Sequence, residues 1–154
     1  MSWSGKILIA LFLIALMGLF SSDAQSEEGR WKEVGKSRTD TKWYIDATSA
    51  SRTSGNSISV WVRSIPDKSD AKDNGGEGHA WRIMKEIQAK YFGTYEFTDG
   101  LWELDCSRGM FRVLYFVAYD KNGQIITSLL TPDAHWEFII PESAGESLQK
   151  GLCK

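Results

Sequence analysis

The sequence predicts an α+β domain that is mainly β: an antiparallel sheet of about six strands, with a C-terminal helix tethered to one face by a disulfide. Three observations predict it. Short apolar or alternating segments separated by turn residues recur from residue 31 to residue 140, which is the pattern of an all-antiparallel sheet. A helical stripe then closes the chain. The two cysteines, Cys106 and Cys153, stand at the end of a strand pattern and at the end of that helix.

Residues 1–24 are expected to lie outside the folded domain. Lys6 supplies a positive start, and Ile7 to Phe20 is apolar except for Gly18. Ser22-Asp23-Ala24 offers small residues where a signal peptidase reads. The apolar core is shorter than the about 20 residues a membrane-spanning helix needs, so a cleaved secretory signal is the expectation. It contains no cysteine to accept a lipid, and the mature chain, with no further membrane-spanning run, is expected to begin near Gln25. Residues 25–154 then form one domain, following a polar start at 25–30.

Trp31 to Gly35 reads as a first strand and Lys42 to Asp46 as a second. Ser57 to Ile65 alternates: Ile58, Val60 and Val62 share one face, and Ser57, Ser59, Trp61 and Arg63 the other, until Pro66 ends it. Asp67 to Gly78 is polar and glycine-rich, a solvated loop. Its Asp67, Asp70, Asp73 and Glu77 are spaced unlike the alternate ligands of a helix-loop-helix calcium site. Ile83, Ile87 and Tyr91 recur every four residues, predicting an amphipathic helix that Gly93 ends. Leu101 to Cys106 places Trp102, Leu104 and Cys106 opposite Glu103 and Asp105. Met110 to Tyr119 is apolar at nearly every position, which predicts a central strand covered on both faces. Asn122-Gly123 predicts a tight turn into Gln124 to Leu130, and His135 to Ile140 reads as one more strand. Ser143 with Glu146 forms a capping box, and Ala144, Leu148 and Leu152 line one stripe of the last helix.

The net charge is −2, and basic and acidic residues are interspersed. No basic block is available to track a phosphate backbone, which argues against nucleic acid as a partner. In an oxidising compartment the two cysteines are expected to pair, and their wide separation lacks the close spacing of a redox or metal pair. Six of the seven tryptophans lie in the mature domain and are expected to serve mainly strand and core packing. His79 and the Asp133-Ala-His135 step are the available acid–base groups. No zinc-protease helix motif, nucleophile elbow or free nucleophilic cysteine accompanies them, so catalytic, cofactor and metal residues are each expected to be none.

The order of these landmarks resembles the surface-adhesin protein E family of bacterial exported proteins. The matching pieces are Trp31-Lys-Glu-Val-Gly35, Thr41-Lys-Trp-Tyr-Ile-Asp46 and Val60-Trp-Val-Arg63, followed by Cys106-Ser107, Asp120-Lys-Asn-Gly123, Trp136, Pro141-Glu-Ser143 and Cys153. The resemblance implies a six-stranded antiparallel sheet with a disulfide-tethered C-terminal helix, a tendency to form a homodimer, and a binding role at the cell surface. It assigns no ligand-binding residue. The chain therefore reads as an exported, non-enzymatic binding protein in the periplasm, at the cell surface or secreted. Its expected partner is a protein, of extracellular-matrix type or similar. A periplasmic accessory protein and an exported hydrolase are the alternatives. If Val60 and Val62 face the core, Trp61 must point away from it, which makes Trp61 and Arg63 the candidate interface residues.

Overall fold

Six strands succeed one another across a single antiparallel sheet in the order they occur along the chain. They are β1 (Trp31–Lys36), β2 (Lys42–Asp46), β4 (Ser57–Ile65), β5 (Tyr95–Asp105), β6 (Met110–Asp120) and β7 (Ile125–Leu130). Two short strands extend the rows. β3 (Ser51–Arg52) continues the line of β2 along β4, and β8 (Glu137–Phe138) continues the line of β7 along β6. The computed structural model describes residues 29–36, 40–66, 79–91, 93–131 and 133–153. The expected signal segment 1–24, the mature start at Gln25 and the acidic loop 67–78 lie outside the described residues.

Alternation sets which face is buried. Trp43, Ile45, Val60, Val62, Trp102, Leu104, Val113 and Phe116 form one apolar cluster with Ala144 and Leu148. Trp43 meets the edge of Trp102 at 5.6 Å, and Trp102 stacks on Phe111 at 4.9 Å. Val60 and Leu104 are fully excluded from solvent. Both helices contribute to this side: α1 (His79–Lys90) packs Ile87 against the cluster, and α2 (Ala144–Leu152) packs Ala144, Leu148 and Leu152. Gly93, in the left-handed region at φ 88°, follows the end of α1. His79 is the first residue of α1.

The cap of α2 departs from the expected box in one arm. Ser143 accepts from the Glu146 amide at 3.3 Å, as expected. The Glu146 carboxylate, however, accepts from the Glu142 amide at 3.0 Å, because the Ser143 amide already donates to the Ile140 carbonyl. Past the other end of the helix, Cys153 is joined to Cys106 at the end of β5, with the two Cα atoms 5.5 Å apart. The bridge spans 47 residues, a closure worth about 4 kcal/mol in the chain-entropy account.

The β5–β6 pair carries a bulge that changes the reading of β6. Trp102 pairs with Val113, but Leu101 pairs with Tyr115, so Leu114 is the extra residue. Phe111 and Val113 therefore face the core before the bulge, and Phe116 and Ala118 face it afterwards. Tyr115, Val117 and Tyr119 are turned to the other side. The expectation that β6 is covered on both faces is corrected accordingly: among the described residues, helices cover one face only, and the other is closed by its own side chains.

Candidate functional site

The sheet face opposite the helices carries three side-chain groups, each held by cross-strand pairing. Arg63 on β4 lies directly opposite Asp99 on β5. Its Nε and Nη2 donate to the two carboxylate oxygens at 2.7 and 2.9 Å, a forked geometry that fixes the plane of the guanidinium. That plane lies between two rings, 4.2 Å from the centroid of Trp31 and 4.3 Å from that of Phe97. Phe97 in turn stacks on Tyr119 at 4.7 Å. The row Trp31, Arg63, Phe97, Tyr119 thus crosses β1, β4, β5 and β6.

The second group sits at the middle of the face. Trp61 meets Tyr115 edge-on, with centroids 6.0 Å apart and planes at 88°. Leu101 pairs with both residues in the ladder and lies between them. All three are half-buried. The expectation that Trp61 points away from Val60 and Val62 therefore agrees with the register, and the aliphatic pair is buried at 0% and 1% exposure.

The third group lies toward the disulfide. Glu103 accepts from Arg112 at 2.7 Å and from Thr53 at 2.8 Å. Arg112 and Arg108 both rest over the ring of Trp136, at 4.6 and 5.1 Å. Asp105 accepts from the Ser107 hydroxyl and from Arg108, at 2.6 Å each. Hydrogen bonds from Ser107 first, then from Arg108, hold the Asp105 carboxyl well below the usual carboxylate range. At the β1 edge, burial tends to raise the pKa of Asp46, but bonds from Thr48 and Arg30 outweigh it and lower the net value.

Asp99, Glu103 and Asp105 each have a guanidinium partner. Such a surface offers flat aromatic area with fixed positive and negative rims. Asp133 and His135 are exposed and precede β8, which is confined to Glu137–Phe138 rather than running from His135 to Ile140 as expected. Among the described residues, no group of three or more His, Cys, Asp or Glu is arranged to hold a metal ion. No described helix is long and apolar enough to cross a membrane.

Of the two candidate interface residues, Trp61 offers its ring to the face, whereas Arg63 is largely engaged within it, its side chain 15% exposed. Their ring neighbours Trp31, Phe97, Tyr115 and Tyr119 were not singled out from sequence. Phe97 falls in a stretch whose Thr98-Asp99-Gly100 reads as a turn. Tyr115 and Tyr119 fall in a strand whose bulge hides their direction.

Comparison with known proteins agrees with this architecture. No curated protein matches the chain. The family model described as surface-adhesin protein E matches residues 31–154, which covers the two described α-helices, the eight described strands and the disulfide. The chain belongs to the surface-adhesin protein E family.

Proposed function

We propose that this protein is exported after removal of residues 1–24 and acts without catalysis, holding a protein partner at the cell envelope through its open aromatic face. Trp61 and Arg63 lie at the centre of that surface. The observation that supports this reading most is the aromatic and ionic row crossing four strands on the face that no described helix covers. Membership of a surface-adhesin family points the same way. Half-buried tryptophan and tyrosine flanked by arginine are the residue types that anchor protein interfaces.

The test is capture of immobilised extracellular-matrix and envelope proteins by the exported protein, followed by affinity measurement for those retained. Trp61→Ala and Tyr115→Ala are each expected to weaken binding about 30-fold, the loss typical of an interface anchor, with the melting temperature changed by little. Unchanged affinity in both variants would overturn the assignment of this face.

A further inference from the structure

The large apolar side chains left exposed among the described residues gather at one margin of the sheet. Ile125, Leu129 and Leu130 on β7 are 64%, 40% and 65% exposed. Phe138 in β8 and Ile140 just after it, on the same margin, are 72% and 56% exposed. β7 carries no charged residue, and among the described residues no strand pairs with its outer side. The opposite margin is guarded: β1 exposes Lys32, Glu33 and Lys36, its register shifts between Glu33 and Gly35, and α2 packs beside it. Charges and bulges are devices that keep a strand edge from pairing. β7 lacks the charges, and its one register shift lies at the hairpin end, which leaves Thr127 to Leu130 in regular pairing with β6.

The backbone of β7 decides what can cover this margin. The Thr131 amide donates inward to the Leu114 carbonyl at 2.9 Å. Inward and outward residues alternate in an antiparallel ladder, so Leu129 bonds toward β6 while Ser128 and Leu130 turn their N–H and C=O groups outward. An occupant must therefore bury apolar side chains and bond those outward groups at the same time. Lipid chains offer no hydrogen bonds, and a helix engages its backbone groups within itself. An extended, uncharged polypeptide segment supplies both. The register also fixes which side chains it meets. Ile125 lies opposite Tyr119 and Leu130 opposite Tyr115, so both stand on the open face, at the outer end of its aromatic rows.

We infer that β7 takes an extended, uncharged segment of a different protein as an added strand. On the open side, apolar or β-branched side chains of the segment pack against Ile125 and Leu130 and continue the rows that end in Tyr119 and Tyr115. On the other side, alternate residues meet Thr127 and Leu129. Main-chain bonds to Ser128 and Leu130 give affinity for an extended backbone. The lack of any charged side chain along β7 rejects segments that would bury a charge at the contact. This deepens the proposed function: it rests on the reading that the protein holds a protein partner, and it names the form in which part of that partner is held.

Fluorescence anisotropy of a labelled synthetic peptide tests the added strand. The probe has a central run of alternating valine and threonine, with lysines at both ends to keep it soluble, and is titrated with the exported protein. Saturable binding is expected. The same peptide N-methylated throughout its central run keeps the side chains but no backbone donor there, and is expected to bind about ten-fold more weakly or worse. Glutamate in place of the central valines is expected to weaken binding to a similar degree. Ser128→Pro removes an outward donor and leaves the inward ladder intact, so about ten-fold weaker binding with unchanged circular dichroism is expected. Leu130→Lys, a charge on the exposed edge, is expected to weaken binding as well. No saturable binding of the unmodified peptide, equal binding of the methylated one, or undiminished binding by both variants would each overturn the inference. So would sedimentation in which a second copy of this chain holds β7 and Ser128→Pro releases it. The open face is read separately, from Trp61→Ala and Tyr115→Ala in the capture assay. Unchanged capture by those variants with the peptide still bound would remove the face and keep the edge, and the converse pattern would remove the edge and keep the face.

Discussion

Replacing Arg63 with alanine removes a cation that lies against two rings and a carboxylate. Its fork to Asp99 consists of two charge-assisted bonds at 2.7 and 2.9 Å, each worth about 1.5–3 kcal/mol in a protected setting. The pair is not deep, since the two side chains are 15% and 10% exposed, so water screens part of this. Loss of the ring contacts adds about 0.5–1 kcal/mol for each of Trp31 and Phe97. Because removing one partner leaves the 7%-exposed Asp99 without its forked cation, the expected net loss is about 3 kcal/mol. Arg63→Lys keeps a charge but neither the fork nor the flat plane between the rings, and is expected to lose about half as much. Urea unfolding followed by tryptophan fluorescence measures both. A double-mutant cycle with Asp99→Ala is expected to return a coupling of about 2 kcal/mol. A loss under about 1 kcal/mol for Arg63→Ala, or a coupling near zero, would refute the account of the row as a mutually supporting unit. The same geometry makes Trp61, rather than Arg63, the cleaner probe of binding, since loss of Arg63 frees Trp31 and Phe97 as well.

Two further outcomes are expected. Cys153→Ala releases the end of α2 from β5, and unfolding of the oxidised proteins is expected to show a loss of at most about 4 kcal/mol; equal stability would mean the bridge does not constrain the chain. The lowered pKa of Asp105 makes its contribution complete above the unfolded carboxyl value near pH 4. That contribution is lost as the pH falls below this value toward the folded one. Asp105→Asn is therefore expected to flatten part of the acid limb of a stability-versus-pH curve, with an unchanged limb as the contrary result.

The strands legible in the sequence are those whose alternation is unbroken. Ser57 to Ile65 has no bulge within its bounds, so period-two reading assigned every side chain, including Trp61, to the side it occupies. Met110 to Asp120 has one extra residue at Leu114, and every residue after it swaps sides relative to a strict alternation. The beginning of β5 was missed because Asp99 and Gly100 are turn formers in isolation. In the sheet, Asp99 is fixed by an arginine 36 positions away. Gly100 pairs with Val62 and Phe116 in the ladder, and a side chain is excluded there because a Cβ would come within 2.8 Å of the Trp102 indole nitrogen. Pairing between distant strands, through the side chain at Asp99 and the backbone ladder at Gly100, outweighs local propensity. The open-face site was half visible for the same reason. Its rings come from β1, β4, β5 and β6, and only the one on an unbroken strand declared its direction.

The placement of α2 also has a bearing on how the chain reaches this state. The strands that span the sheet pair with their neighbours in chain order, so each can join the growing sheet as soon as it is available. Much of the cover for the apolar cluster, namely Ala144, Leu148 and Leu152, comes from the last described element, together with the second sulfur of the bridge. A chain appearing from its N-terminus thus passes through an interval in which the sheet is assembled and the part of its apolar side that α2 covers is bare. During that interval the same tryptophans and valines that later make the interior are a sticky surface. The moment of greatest exposure to misassembly falls just before Leu148 docks.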